Sequence, residues 1–136
     1  MRRPAPARSV AIAVGVLAAI AAGCGDDGGG SSSPPPAGGC RAASGGTVTI
    51  VADKLAWDTD CLELTPGAPV TVTVDNRDTG VNHNLRVEDL PGGDVATKLE
   101  AGPVVQQLEV SAPAGTYRFV CDIHPNMVGE LVVADP

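Results

Sequence analysis

Between Cys121 and Met127 the chain sets a thiol, an imidazole and a thioether at three-residue steps, as Cys-x-x-His-x-x-Met. In an extended strand, groups at such spacing point to opposite faces. They meet only if a strand ends at Cys121 and the chain curls into a tight loop. Pro125 suits that loop, because it fixes its own φ and offers no backbone N–H. Gly129 allows a turn back into a last strand. The chain holds two histidines and two methionines, one of them Met1. Every histidine, and every methionine that outlasts removal of the initiator, therefore falls on one candidate site. The fold must carry His83, within Asn82-His83-Asn84, to residues 121–127.

The segments around this site read as strands. Thr47 to Val51 is β-branched, and Val70-Thr71-Val72-Thr73-Val74 alternates strictly, placing its valines on one face. Leu85 with Val87, Val105 with Leu108 and Val110, Tyr117 to Val120, and Leu131 to Val133 mark further short strands. Turn signals separate them at Pro66-Gly67, Pro91-Gly92-Gly93, Ala101-Gly102-Pro103 and Pro113-Ala114-Gly115. Helical periodicity is absent, and Lys98 to Ala101 admits one helical turn at most. Residues 40–136 are thus expected to form an all-β, antiparallel sandwich. Trp57, Tyr117 and Phe119 are the only aromatic residues, so the core is modest.

The N-terminal part has a different character. Arg2, Arg3 and Arg8 precede an unbroken apolar run from Val10 to Ala22. The run is too short for a comfortable membrane span and has the layout of a signal peptide, over residues 1–23. Ala21-Ala22-Gly23-Cys24 resembles the lipobox of bacterial lipoproteins, in which the cysteine becomes the lipidated N-terminus. The alternative is ordinary cleavage near Gly23, giving a soluble secreted or periplasmic protein. Residues 24–39, rich in Gly, Ser and Pro, cannot bury apolar surface and read as a disordered tether. Its reach is about 20 Å.

Cleavage before Cys24 removes three positive charges and no acid, taking the net charge from −7 to −10. Such an acidic domain argues against nucleic acid as a partner and against electrostatic binding to anionic lipid. With Cys24 assigned to the lipobox and Cys121 to the metal motif, Cys40 and Cys61 remain. In an exported protein that even remainder suggests a disulfide. Closing a loop of this size stabilises by roughly 3 kcal/mol in the chain-entropy model.

Two imidazoles, a thiolate and a weak axial thioether favour copper over magnesium or calcium. Soft sulfur ligands stabilise Cu(I), and imidazole accepts either oxidation state. The main rival is a structural zinc site, although methionine is a poor zinc ligand and such sites normally use more cysteines. A c-type haem is excluded because Cys-x-x-Cys-His is absent. No acid/base pair and no second copper-ligand set accompany the motif, so an enzyme is not expected.

The segment from Tyr117 to Val133 resembles the C-terminal copper loop of the cupredoxins, and its Cys-x-x-His-x-x-Met spacing is similar to the amicyanin type. His83-Asn84 matches the upstream His-Asn pair of that family. The tether and the extra cysteine pair resemble small plastocyanin-like envelope lipoproteins. The resemblance implies a Greek-key sandwich with one type 1 copper held by His83, Cys121, His124 and Met127. It implies that Asn84 locks the two ligand loops and hydrogen-bonds the ligand sulfur. It also implies that Asn82 sets a carbonyl near the axial position. Electrons would pass through His124, at the surface beside Pro125, to redox partner proteins met transiently. The expected protein is a monomeric one-electron carrier at the outer face of the cell membrane, anchored by lipid. The alternative is an extracytoplasmic copper carrier or buffer with no redox partner. Asp122 reads as solvated surface.

Overall fold

The computed structural model describes residues 39–135. The expected signal peptide, the lipidated Cys24 and all but the last residue of the expected tether lie outside these residues, as does Pro136.

Twelve strands make up the described chain: β1 Arg41–Ala42, β2 Thr47–Asp53, β3 Ala56–Trp57, β4 Cys61–Leu64, β5 Val70–Asn76, β6 Asn82–His83, β7 Arg86–Glu88, β8 Val95–Ala96, β9 Glu100–Ala101, β10 Val104–Val110, β11 Gly115–Cys121 and β12 His124–Val133. No helix occurs among the described residues. One sheet runs in the order β1-β4-β12-β11-β7-β8 and the other in the order β10-β5-β2-β3, with β6 and β9 forming a separate pair. The chain alternates between the two large sheets, so non-consecutive strands become neighbours. The all-β Greek-key sandwich is the result, but its sheets are mixed where an antiparallel sandwich was expected. Strand β4 runs parallel to both β1 and β12, and β2 runs parallel to β5, because strands joined through the other sheet can return in the same direction.

The core follows from alternation. Along β5, Val70, Val72 and Val74 are buried while Thr71 and Thr73 are only half-buried. Val48 and Ile50 of β2 and Leu108 and Val110 of β10 join them. The facing sheet supplies Leu62, Leu64, Val87, Phe119, Leu131 and Val133. Each such side chain, fully buried, contributes about 1.5–3 kcal/mol. Cys40 and Cys61 are joined by a disulfide that ties the start of the domain to β4.

Two local expectations change, and one feature is new. Lys98 to Ala101 does not form a helical turn, because Glu100 and Ala101 pair with His83 and Asn82 as β9 against β6. The Gln106 side chain accepts from the Lys98 N–H and donates to the Lys98 carbonyl, which supports that path. Gly129 does not turn the chain; it lies inside β12, paired with Phe119. Its missing side chain matters for closeness instead, since a Cβ there would stand 2.6 Å from the Asp60 carbonyl and collide with the Phe119 ring. Finally, the β2–β3 hairpin turns on Lys54 and Leu55 at φ 54° and 59°. A two-residue turn of that hand matches the twist of the strands but prefers Asn-Gly. Residues with side chains cost on the order of 1–3 kcal/mol each there.

Candidate metal centre

The ligand loop is tighter than a free loop. Strands β11 and β12 pair at Val120↔Val128 and again at Cys121↔His124. One step along β11 thus corresponds to four along β12, so Pro125, Asn126 and Met127 are accommodated as a bulge. The turn itself is only Asp122-Ile123. The hairpin brings Cys121 opposite His124, and the bulge lets Met127 fold inward where a regular strand would send it elsewhere.

Cys121 Sγ lies 3.4 Å from His124 Nδ1 and 3.8 Å from His83 Nδ1. The three ligand atoms are all within 4.8 Å of one another. The two imidazole rings stand 4.6 Å apart, tilted by 49°. His83 and Cys121 are buried, Met127 is fully buried, and His124 is half-buried. Met127 packs with Cys121 and Ala52, and Trp57 closes that cluster. The Trp57 ring also stands 6.4 Å from His83 and 6.3 Å from Phe119.

His83 arrives from a different part of the fold, and buried polar groups deliver it. Asn76, at the end of β5 and 1% exposed, donates to the Val81 and Glu100 carbonyls at 2.9 and 3.0 Å. Those bonds hold the β6–β9 pair in place. Asp78 Oδ2 stands 2.9 Å from His83 Nε2. A carboxylate there accepts a hydrogen bond from that nitrogen, which favours the tautomer with its hydrogen on Nε2 and Nδ1 on the Cys121 side. The Asp78 carboxyl is held below the usual carboxylate range, chiefly by the Leu55 N–H, with His83 and the Lys54 N–H adding to it against the cost of burial. The His124 ring is held below the usual histidine range, first because burial disfavours the imidazolium and then because His83 is close.

Asn84 locks the two ligand segments, but through Asp122. Its amide donates to Asp122 Oδ2 at 2.7 Å, and its Oδ1 accepts from the Asp122 N–H at 3.0 Å. The amide is directed to Asp122 where the resemblance implied Cys121 Sγ. Asp122 is correspondingly more than solvated surface: it is exposed, yet it also pairs with Arg86 at 2.8 Å. Asn82 is exposed and pairs with Ala101. Pro125 is exposed beside His124, and Ile123 is 48% exposed.

Sequence reasoning missed Asn76, Asp78, Trp57 and Asn126. In Asp78-Thr79-Gly80 the ordinary reading is a turn whose Asp serves its own backbone. Nothing local marks it as a partner of His83.

One thiol sulfur and two imidazole nitrogens that converge beside a buried methionine suit a soft or borderline transition metal. The Nδ1 atoms face the thiol sulfur with no carboxylate between them, which fits that donor set and not a calcium or magnesium site. A two-sheet sandwich with such a cluster on its C-terminal hairpin has the architecture of the cupredoxins. The model of the cupredoxin-like domain matches residues 11–133, and the chain belongs to that family. No curated protein matches it. Among solved structures, the dithionite-reduced auracyanin of the photosynthetic bacterium Roseiflexus castenholzii superposes with a TM-score of 0.60 at 23% identity, over 68% of this chain and 100% of that one. Auracyanin A of Chloroflexus aurantiacus, described as a blue copper protein, gives 0.57 at 24% identity, over 65% and 98%. The reduced Cu(I) form of an amicyanin variant gives 0.54 at 25% identity, over 68% and 86%.

Proposed function

We propose that this protein is a type 1 copper electron carrier of the cell envelope. The observation that carries the reading is the convergence of His83, Cys121 and His124, with their ligand atoms within 4.8 Å, beside a fully buried Met127. Membership of the cupredoxin-like family and the copper named for its structural neighbours support it. A copper ion held by these four side chains supplies one-electron chemistry between Cu(II) and Cu(I).

The chain's own residues do the rest. Cys121 supplies a thiolate, and the two histidines supply neutral nitrogens. Trp57, Ala52 and Met127 keep water from the sulfur. Asp78 and Asn84 hold the two ligand segments in register. A pocket held this firmly accepts either oxidation state with little movement. His124 is the one ligand that reaches toward solvent, beside exposed Pro125 and Ile123. That surface suits small, short-lived contacts with redox partners. The protein acts as a carrier and not as an enzyme, and it works as a monomer.

Arg2, Arg3 and Arg8, the apolar run to Ala22 and the lipobox-like end at Cys24 support export and a lipid anchor on the outer face of the membrane. The Cys40–Cys61 disulfide supports an oxidising compartment.

The test is the visible and EPR spectrum of the purified protein with Cu(II), before and after ascorbate. An intense thiolate-to-copper band that bleaches on reduction and returns on oxidation supports the reading. Cys121→Ser should abolish it, and a band that survives removes Cys121 as a ligand. A colourless protein that binds zinc or Cu(I) tightly would move the reading to a metal carrier.

A further inference from the structure

The strained Lys54-Leu55 turn touches both halves of the site. Lys54 N–H donates to Asp78 Oδ1 at 2.6 Å and Leu55 N–H to Asp78 Oδ2 at 2.9 Å. The same Oδ2 meets His83 Nε2 at 2.9 Å. On its other side the turn meets the ligand loop: the Leu55 carbonyl accepts the Asn126 side-chain amide at 2.7 Å. Asn126 lies in the bulge between His124 and Met127. A continuous path therefore runs from His83 through Asp78 and the turn to Asn126.

The local sequence does not ask for this arrangement. A hairpin with Asn-Gly would turn without strain and without a carboxylate beneath it. Backbone held in a sparsely populated region persists only where its surroundings over-determine it. Here a single carboxylate holds both strained N–H groups and also orients a candidate ligand. Asp78 is nearly buried, with its side chain 12% exposed.

We propose that Asp78, the Lys54-Leu55 turn and Asn126 form a brace that fixes the distance between His83 and the Pro125–Met127 bulge before any metal arrives. Asp78 is the positioning residue for His83, and Asn126 is the positioning residue for the bulge. The inference rests on the copper reading of the site only for its metal-bound consequences. The brace is a property of the metal-free protein as well.

The test begins without metal. Nitrogen NMR at mildly alkaline pH, where imidazole is neutral, should find His83 as the Nε2–H tautomer and the Lys54 and Leu55 amides slow to exchange. Asp78→Asn should speed those amides by roughly tenfold or more and mix the His83 tautomers. Asn126→Ala, at an exposed position, should leave the tautomer intact. On copper loading, each variant should lose about 10–100-fold in Cu(II) affinity. The Asp78→Asn reduction potential should rise, because a carboxylate that favoured the more positive ion has gone. The double variant should lose less than the product of the two single losses, because both cut one path. Asp53→Asn removes an equal charge at the edge of the same turn without touching His83, and it should change none of these readouts.

A His83 found as the Nδ1–H tautomer, losses that multiply independently, or a change in melting temperature alone would each overturn the brace. A wild-type protein without the thiolate band would sink the copper reading instead, while the metal-free NMR would still judge the brace.

Discussion

His83 and His124 offer the same ring atom to the same sulfur from opposite surroundings. His124 lies three residues from Cys121 and reaches it across a two-residue turn. His83 lies thirty-eight residues away. It needs Asn76, Asp78 and the β6–β9 pair to bring it there. His83 is buried with its far nitrogen on a carboxylate, whereas His124 is half-buried beside exposed Pro125 and Ile123. The difference teaches how such a site divides its labour. The candidate ligand that is distant in sequence is the one the fold must anchor, and the local one is free to face solvent.

Paired ligand deletions give the largest effect. His83→Gly and His124→Gly should each abolish the copper-thiolate band. Added imidazole should restore it in His124→Gly, because that gap opens to solvent. It should fail in His83→Gly, where the gap is enclosed. Equal rescue at both positions would break the contrast between anchor and exit.

Asn76→Ala should act on one half alone. It leaves the Val81 and Glu100 carbonyls without their amide donor, at a cost of about 1–3 kcal/mol in denaturant unfolding. Amide exchange should rise around residues 81–84 and 100–102 and stay unchanged at the β11–β12 pairing. Uniform loosening of both halves would mean that they are not separately built.

The smallest effect is in the pH dependence of the metal-free protein. His124 sits below its ordinary value of 6.5 in the folded state. As pH falls below about 6.5, the unfolded chain takes up its proton first. Stability is therefore fully present above that value and declines as pH drops toward the lowered folded value. An NMR titration of the His124 ring checks the sign, and a midpoint above 6.5 would remove the effect. In the loaded protein, protons compete with the metal at the same nitrogen, so acid should weaken binding.

Much of the sandwich was legible because its strands obey a period of two. Val70 to Val74 and Thr47 to Val51 needed no knowledge of their neighbours to be read as strands. The short strands β1, β3, β6, β8 and β9 were not legible. Each spans two residues, too few for a pattern, and exists only because a partner strand completes its hydrogen bonds. Gly129 was misread for a related reason. A glycine near a loop signals a turn locally, but this one is set by the approach of Phe119 and the Asp60 carbonyl.

The sequence by itself determined the candidate donor set. With only two histidines and one internal methionine available, composition and the Cys121–Met127 spacing left little choice of candidates. It also determined the alternating core, since burial of one face follows directly from side-chain order. Tertiary structure alone decided how His83 is oriented, that Asn84 spends its amide on Asp122, and that the Lys54-Leu55 turn bridges the two ligand segments. Those features are hydrogen bonds between residues far apart in the chain. Their partners are chosen by which strands lie adjacent, and no local propensity records that choice.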